Sequence, residues 1–140
     1  MNKEDPPTSF GVFKPVGHIL IAFRSVNQLQ SATDLLIAQG FEAADLTRYS
    51  PQEMIAQVDQ DLVEASPLAS LGHELDFIRA HRALAEAGCH FLVVKAEGDE
   101  KVELVAHIAR TAQAVRAQRY GRLVIEEIID QKPGEEAGSV

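Results

Sequence analysis

Two hydrophobic periods alternate along this chain, and each switch between them marks an element. His18-Ile-Leu-Ile-Ala-Phe23 is almost continuously apolar, which predicts a strand central in a sheet or covered on both faces. From Ser25 the spacing becomes helical, with Leu29, Ala32, Leu35 and Leu36 on the buried side. Ser25-Val-Asn-Gln28 matches a capping box, and Gly40 is a suitable left-handed stop. Leu46-Thr-Arg-Tyr49 reads as a shorter, more polar strand nearer an edge. Ser50-Pro-Gln-Glu53 then opens a second helix with a serine cap, a first-turn proline and a reciprocating glutamate. That helix is expected to bury Ile55, Val58, Leu62 and Ala65 and to leave Asp59, Asp61 and Glu64 to solvent. Pro67 forbids a continuous rod, so Pro67 to Gly72 is expected to turn.

A third helix carries one apolar row of Leu71, Leu75 and Ile78 and another of Phe77 and Leu84, and ends at Gly88. Phe91-Leu-Val-Val94 is the most β-prone run. Asp99 is expected to cap a long helix bearing Val102, Val105, Ile108, Ala109 and Ala112, extending to Tyr120 and stopped by Gly121. Leu123 to Ile129 is the last expected strand. Pro6, Pro7 and Pro15 predict a flexible arm over residues 1–15, with Phe10 and Phe13 as its anchors, and residues 130–140 read as a disordered acidic tail. The order is strand, helix, strand, two helices, strand, helix, strand. It predicts one α+β domain over 16–129, a ferredoxin-like βαβ-βαβ sandwich with a helical hairpin inserted at 51–87. The alternative is an α/β fold with a fully parallel sheet.

Composition narrows the setting. With 140 residues, 46% of them hydrophobic, the chain can build one sizeable core. A net charge of −8 argues against nucleic acid and anionic membranes as partners. The single cysteine cannot form an intrachain disulfide, which suits a reducing cytoplasm. The polar, proline-containing start lacks the apolar run of a signal peptide, and no stretch approaches the roughly 18 apolar residues of a membrane span. A cytoplasmic protein without a membrane partner is expected.

The strand HILIAF followed by SVNQLQSATDLLIAQGFEAADLTRYS resembles the opening of the bacterial general-stress (heat-induced stress) protein domain. The later run AHRALAEAGCHFLVVKAEGDEKVELVAHIARTAQA is similar to the second unit of that family, in which an alanine-rich helix meets a glycine, a strand, an acidic turn and another helix. The resemblance covers roughly residues 17–128 and departs in the middle, where many members carry a Gly/Ala-rich apolar segment. It implies a ferredoxin-like unit associated with stress responses and supplies no catalytic residue.

Candidate chemistry is sparse. His73 and His81 lie about 12 Å apart along one helix axis, too far to share a metal. They are expected as half-buried, hydrogen-bonded helix residues facing a neighbouring element, with metal binding, proton transfer or ligand binding in a cleft as the functional alternatives. Cys89 and His90 are neighbours on a strand and so point to opposite faces; Cys89 is expected in the core. Between Leu104 and Ile125 there is no acidic residue, while Arg110, Arg116, Arg119 and Arg122 fall there. These arginines either offset the dipole at a helix C-terminus or, through Arg116, Arg119 and Tyr120, hold a small anionic, phosphate-bearing ligand or the acidic surface of a partner. Glu126 and Glu127 face opposite sides of the last strand, one of them expected to be buried and paired with an arginine as a structural contact. There is no glycine phosphate loop, nucleophile elbow or paired-cysteine motif, and no catalytic residue, metal site or cofactor is assigned.

Three functions are weighed. The first is a non-enzymatic domain acting as a homodimer or on a protein partner in stress response, with the 51–87 hairpin as the dimer element. The second is a sensor of a small anion at Arg116, Arg119 and Tyr120, or near His73 and His81. The third is an enzyme using Cys89 or the histidines.

Overall fold

The computed structural model describes residues 1–9, 11–65, 74–122 and 124–131. The expected turn at Pro67 to Gly72, the anchor Phe10, His73, and the tail beyond Gln131 therefore lie outside the described residues. The elements are β1 (Thr8–Ser9), β2 (Val12–Phe13), β3 (His18–Phe23), α1 (Val26–Ala38), a short 3-10 turn (Ala43–Asp45), β4 (Leu46–Tyr49), α2 (Pro51–Glu64), α3 (Glu74–Glu86), β5 (His90–Lys95), α4 (Asp99–Thr111), β6 (Arg116–Tyr120) and β7 (Ile125–Asp130).

The main sheet has the order β4-β5-β3-β6-β7, and every neighbouring pair is antiparallel. This corrects the parallel-sheet alternative. The crossover through α1 joins β3 to β4 with β5 inserted between them, and the crossover through α4 joins β5 to β6 with β3 inserted between them. Strands linked by a single helix run the same way but never touch, so only antiparallel neighbours remain. The fold is α+β.

β3 explains the layering. All six of its residues pair with β5, and Ile19 to Ala22 also pair with β6. Ile19, Ile21 and Phe23 face a cluster with Leu29, Leu36, Val105 and Ile108 from α1 and α4. Leu20 and Ala22 face the other cluster, with Met54, Val58, Ile78 and Ala85 from α2 and α3. A strand with no polar face thus requires helices on both sides. From the expected hairpin, α2 and α3 supply the second layer. Their buried stripes pack against the sheet, while Leu62 and Val63 of α2 stay exposed.

Local signals mostly hold. Ser50 Oγ accepts from the Glu53 N–H at 3.1 Å and Glu53 accepts from the Ser50 N–H at 2.9 Å, completing the cap of α2. Ser25 caps α1 by accepting from the Gln28 N–H at 3.2 Å. Gly98, not Asp99, is the N-cap of α4. The buried stripe of α2 is Met54, Val58 and Asp61, rotated from the expected one, so Leu62 is exposed and Asp61 is not. Leu35 of α1 is likewise exposed.

The largest correction concerns the end of α4. It stops at Thr111, and Arg116–Tyr120, expected as its last turns, is strand β6. Ala, Gln and Arg favour helix locally. The break comes at Gln113, whose φ is +63°, while the Ala114 N–H reaches the Ala109 C=O at 2.9 Å. Pairing with β3 on one side and β7 on the other satisfies the β6 backbone throughout, and this outweighs propensity.

The N-terminal segment also differs from a flexible arm. β1 and β2 form a hairpin, and Val12 and Phe13 are buried between α2, α3 and the sheet. The Phe13 N–H donates to Asp61 Oδ2 at 3.2 Å, and Lys3 Nζ reaches Glu53 at 2.6 Å. Gly11 has φ +82°, and a Cβ there would lie 2.3 Å from the Glu64 carbonyl oxygen at the end of α2. Only glycine fits that approach. Gly11→Ala is expected to lower unfolding free energy by about 2–4 kcal/mol, read by urea denaturation, because strained φ and a backbone clash add. A loss below about 0.5 kcal/mol would show that the hairpin contributes little to folding stability.

Candidate functional site

α3 and β6 bring together three of the residues singled out from the sequence. His81 shares the helical stripe of Ile78 and Ala85 and is fully buried. Its Nε2 lies 2.8 Å from Gln118 Oε1, and its ring meets Phe91 edge-on at 6.2 Å. Gln118 Nε2 donates to Glu127 Oε1 at 3.1 Å, which fixes the amide orientation and makes His81 Nε2 the donor to Oε1. The Arg116 Nη2 donates to the same Glu127 oxygen at 2.6 Å, and its guanidinium lies 6.0 Å from the Phe77 ring centre. The buried Tyr120 hydroxyl sits 3.5 Å from Gln118 Oε1. The result is a polar chain, His81–Gln118–Glu127–Arg116, running from the core to the β7 edge.

This chain is poorly suited to proton transfer. Burial, with a smaller contribution from Arg116, holds the His81 pKa down at about 4 despite the Gln118 hydrogen bond, so the ring is neutral at pH 7. Its Nδ1 is buried without a hydrogen-bond partner among the described residues. Cys89 is also buried, and desolvation raises its pKa, so it remains a thiol rather than a nucleophilic thiolate.

Alternation on β6 turns Arg119 to the opposite face from Arg116, Gln118 and Tyr120, so the expected triad Arg116, Arg119 and Tyr120 does not converge on one ligand. Arg119 lies 3.2 Å from Asp99 and 4.0 Å from Glu126. It lines a groove of about 470 Å3 between α4 and β7, together with Asp99, Val102, Ala106, Arg110 and Ile128. The expected positive stripe is thus interleaved with carboxylates. Of the two glutamates, Glu127 pairs with Arg116 at 2.6 Å and Glu126 lies near Arg119; neither is buried, which corrects the expectation of one buried carboxylate. His73 lies outside the described residues.

A second buried group was not foreseen. Asp61, only 2% exposed, accepts from the Phe13 N–H and, through Oδ1, from Gln57 Nε2 at 2.9 Å. Burial raises its pKa to about 6, with those two hydrogen bonds opposing the rise. The nearby Tyr49 hydroxyl is buried without a hydrogen-bond partner among the described residues, and its pKa is pushed up by burial and by Asp61 and Glu53. The spacing Met54, Val58, Asp61 carried the signal, because it is a single helical stripe. Among the described residues, no group of three or more His, Cys, Asp or Glu side chains is placed to hold a metal ion.

His81 and Asp61 give opposite pH responses. The folded pKa of His81 lies below its ordinary 6.5, so its contribution to stability is lost as pH falls from about 6.5 to 4. The folded pKa of Asp61 lies above its ordinary 3.8, so its contribution is present below that value and lost as pH rises through about 6. Each effect is on the order of 3 kcal/mol. Measured by urea denaturation across pH 4–7, Asp61→Asn is expected to be stabilised relative to the parent at pH 7 and to lose that advantage on acidification. His81→Gln, which retains a donor for Gln118, is expected to resist acidification better than the parent. Parallel curves for parent and variants would overturn the two assignments. Comparison with known proteins adds no identity to this geometry: no protein-family model, curated protein or solved structure matches the chain.

Proposed function

We propose that this chain is a non-enzymatic, cytoplasmic protein-binding domain with a ferredoxin-like core, working in stress response through the open edge of its sheet. The order β4-β5-β3-β6, with α1 and α4 on one face, supports the ferredoxin-like core; α2, α3 and β7 are additions to it. The stress setting follows from the resemblance over residues 17–128. No described helix is long and apolar enough to cross a membrane.

The observation that carries the reading is where unsatisfied binding capacity remains. Helices cover both sheet faces, and the candidate reactive groups His81 and Cys89 are buried and uncharged at neutral pH. β7, by contrast, pairs only with β6 among the described residues and presents its other backbone edge. An open strand edge is a template for another strand. The anion-sensor alternative is disfavoured because Arg116 and Arg119 are each engaged by carboxylates. Self-association through α2 and α3 is the lesser reading, because their buried stripes pack on the sheet and leave Leu62 and Val63 as their exposed large apolar side chains among the described residues.

The purified chain is expected to sediment as a 15.3 kDa monomer at micromolar concentration. In extracts of its native host it is expected in a larger complex, which Asp130→Pro releases, since proline at an edge position blocks strand addition. Circular dichroism checks that the variant folds. A chain that is monomeric in extract, or a complex unchanged by the proline, overturns the reading.

A further inference from the structure

We propose that β7 is a docking edge for an extended lysine- or arginine-rich segment of another protein. The proposal rests on the protein-binding reading and adds the chemistry of the partner. The backbone supplies the first support. The Gly121 N–H donates to the Val124 C=O at 2.9 Å, and the Gln131 N–H donates to the Val115 C=O at 3.0 Å. Antiparallel alternation between these two anchors, allowing for the irregularity opposite Ala117 and Gln118, turns the amides of Ile125, Glu127 and Asp130 away from β6. The other edge is not equivalent. β4 has four residues, Thr47 Oγ1 reaches the Met1 carbonyl at 3.4 Å, and the first four residues lie along Leu46 to Arg48.

Charge supplies the second support and selects the occupant. β7 reads Ile-Glu-Glu-Ile-Ile-Asp, three carboxylates in six residues. Glu126 projects to the α4 groove beside Arg119, while Glu127 lies on the α3 side beside Gln118. The acids are the more accessible partners in their ion pairs: Glu126 is 62% and Asp99 88% exposed, against 34% for Arg119, and Asp130 is 44% exposed against 20% for Arg116. A strand added to this edge therefore meets carboxylates on both faces. A second copy would bring its own three acids against them, and like charges facing each other across a ladder are destabilising. Charged side chains and bulges are the means by which edges are kept from pairing with themselves. A basic strand turns the same repulsion into attraction, so one set of residues rejects a copy and admits a partner. Ile128, partly buried at the groove, offers apolar surface to the stem of a long basic side chain.

The test uses the full chain with three short strand-forming peptides that alternate valine with lysine, threonine or glutamate, plus a lysine peptide with a central proline. Hydrogen exchange reads the β7 amides, and fluorescence anisotropy reads affinity. The lysine peptide is expected to slow exchange at Ile125, Glu127 and Asp130, and to bind at least about tenfold more tightly than the threonine peptide at low salt. The glutamate and proline peptides are expected to bind far more weakly. Glu126→Lys with Asp130→Lys is expected to reverse the preference between lysine and glutamate peptides while leaving circular dichroism unchanged. If the threonine peptide protects β7 as well as the lysine peptide does, the basic chemistry is wrong and the open-edge reading stands. If no peptide protects β7, both fail. If the outward amides are already protected without peptide, the edge is occupied by a second copy when protection depends on concentration, or by the chain itself when it does not. Either result overturns the proposal. Equal binding of the proline peptide would reduce the effect to unstructured charge attraction and also overturn it.

Discussion

The pairing of β6 with β3 is the interaction on which the rest of this molecule depends. β3 is apolar on both faces and needs a strand on each side to satisfy its backbone. β5 fills one side and β6 the other. Without β6, β3 would be an edge, and a long hydrophobic edge invites aggregation. Placing Arg116–Tyr120 there ends α4 early, at a left-handed Gln113, and in turn provides the surface on which β7 lies. The strain of one non-glycine residue at positive φ, about 1–2 kcal/mol, is small against a ladder of backbone hydrogen bonds on two sides.

That placement also decides the electrostatics. As the end of a helix, Arg116, Arg119 and Arg122 would have formed a positive terminus. On a strand, alternation sends Arg116 towards α3 and Arg119 towards α4, and each finds carboxylates. Positive charge that looks clustered along the chain is dispersed and neutralised in space. What remains accessible along β7 is acidic.

The buried polar groups sit where packing is otherwise apolar. The chain His81–Gln118–Glu127–Arg116 links α3 to the two outer strands, and Asp61 ties the N-terminal hairpin to α2. Both satisfy backbone or side-chain donors at the cost of a depressed histidine and an elevated carboxyl pKa. Such groups orient elements relative to one another more than they add stability. Their opposed titrations offset each other between about pH 4 and 6.

The sequence by itself determined much of the local structure: the β3 and β5 runs, the caps at Ser25 and Ser50, the stop at Gly88, the polar edge character of β4 and the burial of Cys89. In each case short-range chemistry and the tertiary environment agree. It did not determine β6, because Ala, Gln and Arg prefer helix and only the vacancy beside β3 makes a strand of them. Nor did it determine the burial of Asp61 or Val12 and Phe13, since that depends on the N-terminal hairpin meeting the α2 stripe across 48 residues of chain. His81 was legible as a hydrogen-bonded helix residue, but its partner Gln118 was not, because the two are 37 residues apart and their contact exists only once β6 is a strand. The open acidic edge is likewise a tertiary property: Glu126, Glu127 and Asp130 are visible in any reading, but which side of β7 lacks a partner is decided by strand order alone.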